Sequence, residues 1–174
     1  MSSKPQSEAP PDVRIPKALA EKLIRGELQL GQFLGMTRER LFDYAGMGHS
    51  MLQAGRTRLA LEIFQGLVTA SPKEATFLTQ LGATYLTLER TDEAFDAFQR
   101  ALAVEASNVD ALVGRGELHL RQGNIPDGLK DLSRAIELDP GLKKRSTQRA
   151  RGTLLALKTQ AEQIKKRPAS PPKK

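Results

Sequence analysis

The chain has 174 residues, 39% of them hydrophobic, with ten prolines, no cysteine and a formal net charge of +7. That length fits one domain with a core of its own, and the lack of cysteine excludes a disulfide framework, a thiolate nucleophile and a cysteine-based zinc site. No run of about 18 apolar residues occurs, and Met1 to Asp12 has no apolar core of the kind a secretory signal needs, so a soluble cytoplasmic protein is expected.

The positive charge is not spread evenly. Residues 143 to 174 hold eleven Lys and Arg against one acid, Glu162, a net +10, whereas residues 1 to 142 carry sixteen basic and nineteen acidic side chains, a net −3. Basicity is therefore a property of the tail.

Residues 1–14, rich in Ser, Pro and charge, are expected to be disordered. A first helix should begin near Pro16, where proline is tolerated, and run through Leu19, Leu23 and Ile24 on one narrow face. Gly26, Gly31 and Gly35 should break the run, while Leu28, Leu30, Phe33 and Leu34 are apolar enough to pack. Residues 15–40 thus read as an N-terminal capping segment or a contact for a homodimer.

From Leu41 to Leu142 the sequence repeats with a period of 34 residues and no insertion, dividing into 41–74, 75–108 and 109–142. Gly48, Gly82 and Gly116 hold the eighth place; Ala60, Ala94 and Gly128 the twentieth; Phe64, Phe98 and Leu132 the twenty-fourth; Leu67, Ala101 and Ala135 the twenty-seventh; Pro72, Ala106 and Pro140 the thirty-second. Small residues suit the closest approach of two helices, a large apolar one fills the space between units, and proline ends the second helix. The pattern resembles the tetratricopeptide repeat (TPR), a helix–turn–helix unit of about 34 residues. The fold class implied is all-α: a superhelix of three helical hairpins with capping helices at both ends.

Within the units, Thr37 should cap a helix reaching Ala54 and stopping at Gly55, followed by Thr57 to Ala70. The second unit predicts Ala75 to Leu88, then Thr91 as N-cap with Asp92 and Glu93 suited to the helix dipole; Glu89 stands in its turn where the neighbouring units have glycine. The third predicts Val109 to Gln122, a stop at Gly123, Asn124 as cap, and Ile125 to Leu138 with Pro126 in the first turn. This unit departs most: Arg115 replaces Met47 and Leu81, His119 replaces Met51 and Tyr85, and Gly128 replaces an alanine at a cost of about 1 kcal/mol. It is expected to be the least stable. Residues 143–167 read as a basic capping helix with Leu154, Leu155, Leu157, Ala161 and Ile164 near one face, and 168–174 as a disordered end.

Chemistry is nearly absent from this pattern. His49 and His119 are 70 residues apart, no paired-histidine metal spacing exists, and acid pairs such as Glu39 with Asp43 or Asp92 with Asp96 fall on solvated helix faces. No phosphate loop, nucleophile elbow or dinucleotide fingerprint occurs. The chain is not expected to be an enzyme, nor to need a cofactor or metal.

What a repeat array offers is a concave wall lined by the first helix of each unit. Places two, five, nine and twelve supply Phe42, Ala45, His49 and Leu52; Thr76, Thr79, Ala83 and Leu86; Asp110, Val113, Glu117 and Leu120. These are the candidate partner-binding residues, and their mixed, small character suits an extended apolar peptide. The wall lacks the row of Lys and Arg that carboxylate-clamp TPR proteins use.

A narrower resemblance rests on Leu34-Gly35-Met36-Thr37, Leu41 and Tyr44, Ala54-Gly55-Arg56, Phe64-Gln65-Gly66-Leu67, Phe77-Leu78 and Leu81-Gly82-Ala83. From about residue 16 to 142 the chain resembles the TPR chaperones of type III secretion translocators, the SycD/LcrH class. That resemblance implies a cytoplasmic chaperone that holds a hydrophobic secreted client by a Pro-x-Leu-x-x-Pro segment in the groove, with dimerisation through the N-terminal helices. Ala45 and Leu52 stand where that family tends to place tyrosines, and its members tend to be acidic without such a tail, so the reading is a chaperone-like adaptor. The alternative is a scaffold whose basic tail meets an anionic partner, a membrane or nucleic acid; the tail has no aromatic residue for base stacking.

Overall fold

The computed structural model describes residues 16–166; the stretches 1–14 and 168–174, expected to be disordered, lie outside the described residues. Among the described residues the chain forms α1 (Lys17–Ile24), α2 (Leu30–Phe33), α3 (Arg38–Gln53), α4 (Thr57–Ala70), α5 (Ala75–Thr87), α6 (Thr91–Val104), α7 (Val109–Arg121), α8 (Ile125–Leu138) and α9 (Arg145–Lys166). Helices α3 to α8 pair as successive hairpins, each second helix also packing on the first helix of the next pair, and α9 packs on both α7 and α8.

The hairpins close through one recurring contact. A Cβ on Gly48 would come within 2.8 Å of Phe64, one on Gly82 within 2.8 Å of Phe98, and one on Gly116 within 3.1 Å of Leu132. Phe64 and Leu132 are fully buried and Phe98 nearly so. The Phe98 ring also abuts Gly114 of the following unit, so one aromatic side chain ties two hairpins together. Gly128 has a comparable reason: a Cβ there would fall 2.6 Å from Leu120.

Each turn between paired helices uses the same hydrogen bonds. Arg56, Arg90 and Asn124 donate their backbone N–H to the carbonyls of Met51, Tyr85 and His119 at 2.8, 3.0 and 2.9 Å, the six-to-one bond of a Schellman turn. The preceding residue takes the left-handed conformation: Gly55 at φ +72°, Gly123 at +80°, and Glu89 at +60° despite its side chain. Because that bond places residue 90 at the head of α6, Arg90 is the N-cap and Thr91 is the first helical residue, which corrects the sequence expectation. Asn124 does occupy its N-cap, but its amide donates to the Asp127 side chain at 2.7 Å instead of bonding the backbone. Thr37 caps α3 as expected, accepting from Arg40 N–H at 3.3 Å.

Two further expectations are corrected. Gly31 does not break the chain; it lies inside α2, where a Cβ would meet the Ala70 carbonyl at 3.0 Å, so it is small to permit a close approach. The apolar residues of α9 are only half used: Thr147 and Ala150 are fully buried and Leu154 partly, whereas Leu155 and Ile164 are each 64% exposed. Helix α1 buries none of its residues.

In the third unit Arg115 has a partner that also departs from the pattern, Asp131. The Arg115 guanidinium donates to both carboxylate oxygens of Asp131 at 2.7 and 2.9 Å. Asp131 is 5% exposed and stands where the earlier units have Ile63 and Ala97. His119 meets Phe95 edge-on at 5.1 Å. Arg115→Leu alone should destabilise the chain by about 2–3 kcal/mol, since it strands a buried carboxylate. Adding Asp131→Ala, which recreates the Leu81 and Ala97 pair, should restore stability to within about 1 kcal/mol in urea unfolding.

Candidate peptide-binding groove

Helices α5, α7 and α9 lie side by side, with α3 ahead of them, so their inner faces form one wall. Packing sorts the candidate residues into those that can meet a ligand and those that cannot. Place five lies between neighbouring first helices: Val113 is fully buried, and Thr79 is 7% exposed with its hydroxyl donating to the Ala75 carbonyl at 2.8 Å. Val113 is thereby a packing residue, and the sequence expectation that it lines the groove is corrected. Ala45, at the open end, stays half-buried, as do Phe42, Leu52, Thr76, Ala83, Leu86, Glu117 and Leu120, while His49 is exposed. The His49 ring sits 3.1 Å from the Gln53 amide.

Two hollows mark the wall. Leu86, Glu117 and Leu120 share one of about 550 Å³ with Thr87, Arg121, Arg149 and Thr153. Thr76 and Thr79 share another of about 430 Å³ with Gln80, Asn108, Asp110 and Lys144, near the loops. Phe42 lies outside both, its ring 5.0 Å from that of Phe77 and under the Arg38 guanidinium at 4.7 Å.

Sequence reasoning missed Lys144, Arg149 and Thr153, which α9 contributes to this wall. The signal was present: Thr147 and Ala150 fall at places five and eight of a fourth 34-residue unit, and both are fully buried. Helix α9 therefore acts as one more first helix.

Its bases neutralise the acids of α7. Asp110 accepts from Lys144 Nζ at 2.8 Å and Ser146 Oγ at 2.5 Å, and Glu117 accepts from Arg149 at 2.6 and 3.2 Å. With those carboxylates paired, what remains open toward a ligand is Leu86 and Leu120, with the small Ala83 one turn back on α5, edged by Gln80, Thr87, Thr153 and the Arg121 guanidinium. Such a surface can bury apolar side chains and bond an extended backbone. Among the described residues no group of three or more His, Cys, Asp and Glu could hold a metal ion, and no helix is long and apolar enough to cross a membrane.

A solenoid of helical hairpins with a concave inner wall is a protein-interaction fold. The chain belongs to the tetratricopeptide repeat family, whose model matches residues 46–107 and 79–143. Among curated proteins, anaphase-promoting complex subunit 7 of Arabidopsis thaliana is 29% identical over 101 residues, 58% of this chain and 18% of that protein. The chain spans under a fifth of the length of the curated relatives it matches. Among solved structures, a type III secretion complex from Aeromonas hydrophila superposes with a TM-score of 0.71 at 21% identity, covering 84% of this chain and 99% of that one. The type III secretion translocator chaperone SycD of Yersinia enterocolitica gives 0.64 at 18% identity, covering 74% and 97%. PcrH in complex with the chaperone binding region of PopD gives 0.64 at 21%, covering 73% and 97%. At these identities the likeness is one of fold.

Asp139 anchors α9 against this wall. Its carboxylate accepts from the Thr147 hydroxyl at 2.6 Å and from the Lys144 and Lys143 backbone N–H groups at 2.9 and 3.1 Å. The Thr147 bond, then the backbone ones, hold its pKa below the ordinary aspartate value. A depressed folded pKa stabilises above the unfolded value of about 3.9 and is lost as pH falls through the folded value. Asp139→Asn should therefore lower the melting temperature at pH 7, and the difference from wild type should shrink as pH falls below the unfolded aspartate value. A difference that persists in acid would contradict this role.

Proposed function

We propose that the chain is a chaperone-like adaptor that holds an extended peptide segment of a partner protein in the concave wall of α3, α5, α7 and α9. One observation carries the reading: the hollow that Leu86 and Leu120 line lies one turn along α5 from the small Ala83, and its acid, Glu117, is already paired with Arg149. A peptide laid there could bury an apolar side chain without stranding a charge. The fold likeness to SycD, and to PcrH in complex with the chaperone binding region of PopD, supports a secreted hydrophobic client as the kind of partner. Ala45 and Leu52 leave the open end of the wall wide, so the client's anchoring residues should seat nearer α5 and α7.

The test uses a labelled peptide containing Pro-x-Leu-x-x-Pro and the full chain, read by fluorescence anisotropy. Ala83→Glu places an unpaired charge at the wall's centre. The fold can accommodate it, since Glu117 holds the same place in α7. Affinity should fall by about tenfold or more, the equivalent of 1.4 kcal/mol, with the melting temperature nearly unchanged. Binding indifferent to Ala83→Glu but abolished by moderate salt would move recognition to the basic C-terminal segment and contradict the groove reading.

A further inference from the structure

Beyond Leu154, the face of α9 that buries Thr147 and Ala150 continues as the apolar but increasingly exposed Leu157, Ala161 and Ile164. Facing it across α8 are Ile125 and Leu129, which are 41% and 37% exposed. The two helices enclose an almost wholly apolar cleft of about 400 Å³ that also includes Lys158 and Gln160. It shares no residue with the two hollows of the peptide wall.

The repeat geometry shows what shape this cleft is cut for. One unit earlier, the residue matching Leu129 is Phe95, and it is covered. His119 of the next first helix meets it edge-on at 5.1 Å, and Asn124 at the head of the next second helix reaches the His119 ring at 3.4 Å. Helix α9 packs on α7 and α8 as the first helix of a further hairpin. There α9 carries Thr153 in the place of His119, so no ring lies over Leu129 and its seat stands open.

Charge says which helix would fill it. Arg151, Lys158 and Lys165 recur at intervals of seven, which places them along one edge of the apolar row, and all three are exposed. A second copy of α9 laid in the cleft would set this basic row against another. The residues that come after Lys166 include Arg167, Lys173 and Lys174 and would likewise set like charge against that edge.

We propose that this cleft binds a helix of a partner protein that is apolar at i, i+3 and i+7 and carries Asp or Glu along the edge facing Arg151, Lys158 and Lys165. The site is separate from the peptide wall, so Ala83→Glu should leave it intact.

The test titrates the full chain into two labelled 18-residue helical peptides with the same leucine spacing, one edged with Glu and one with Lys, read by fluorescence anisotropy. The Glu peptide should bind at least about tenfold more tightly than the Lys peptide. The exposed double variant Leu129→Gln, Ile164→Glu should weaken it by about tenfold or more, and Gln163→Glu, exposed on the side of α9 away from both the cleft and the basic row, should not. Failure of the Glu peptide to bind, equal binding of both peptides, or indifference to the double variant would overturn the proposal. So would self-association lost with Ile164→Glu in sedimentation velocity, which assigns the cleft to a second copy. Flotation on phosphatidylserine vesicles lost with the same variant would assign it to a membrane and overturn it equally.

Discussion

The structure depends on a large side chain seated against a glycine of the paired helix. Phe64 on Gly48, Phe98 on Gly82 and Leu132 on Gly116 set the separation within each hairpin. Because Phe98 also reaches Gly114, the same contact sets the step from one hairpin to the next. Interiors pack at crystal-like density, so a spacing fixed by such contacts propagates through the array.

From that spacing the wall follows. First helices brought side by side bury place five between them and turn places two, nine and twelve outward, which is why Val113 is lost to the core while Ala83 and Leu120 are left for a ligand. The charge split of the sequence then acquires a local meaning. Part of the basic excess after residue 142 is spent on Asp110 and Glu117, the two acids of α7. Another part, the row Arg151, Lys158 and Lys165, faces away from that wall along the α8 and α9 cleft.

Much of this was legible in the sequence, because the constraint is periodic. Glycine, alanine and phenylalanine recurring at 34 residues gave the hairpins, and Gly55, Gly123 and the exceptional Glu89 gave their turns. What escaped depends on tertiary partners rather than on period. Thr91 resembled a cap because its hydroxyl suits one, but the Arg90 N–H bond to Tyr85 settled where α6 begins. Gly31 reads as a breaker until Ala70 is seen beside it. Arg115 looked like a defect in a packing position, since nothing local ties it to Asp131 sixteen residues on. The wall residues of α9 were hidden by its polar composition, although Thr147 and Ala150 keep the repeat's phase.

The most direct test of the glycine contact compares three alanine substitutions in urea unfolding. Gly66 in α4 and Gly152 in α9 have nothing within 4 Å of an added Cβ, so alanine there should stabilise by about 0.5–1 kcal/mol through helix propensity alone. Gly82→Ala should do the opposite and destabilise by about 1–3 kcal/mol, because the Cβ must displace the Phe98 ring from a filled core. Opposite signs are the result this account predicts; a stabilising Gly82→Ala would show that the contact does not set the spacing of the hairpins.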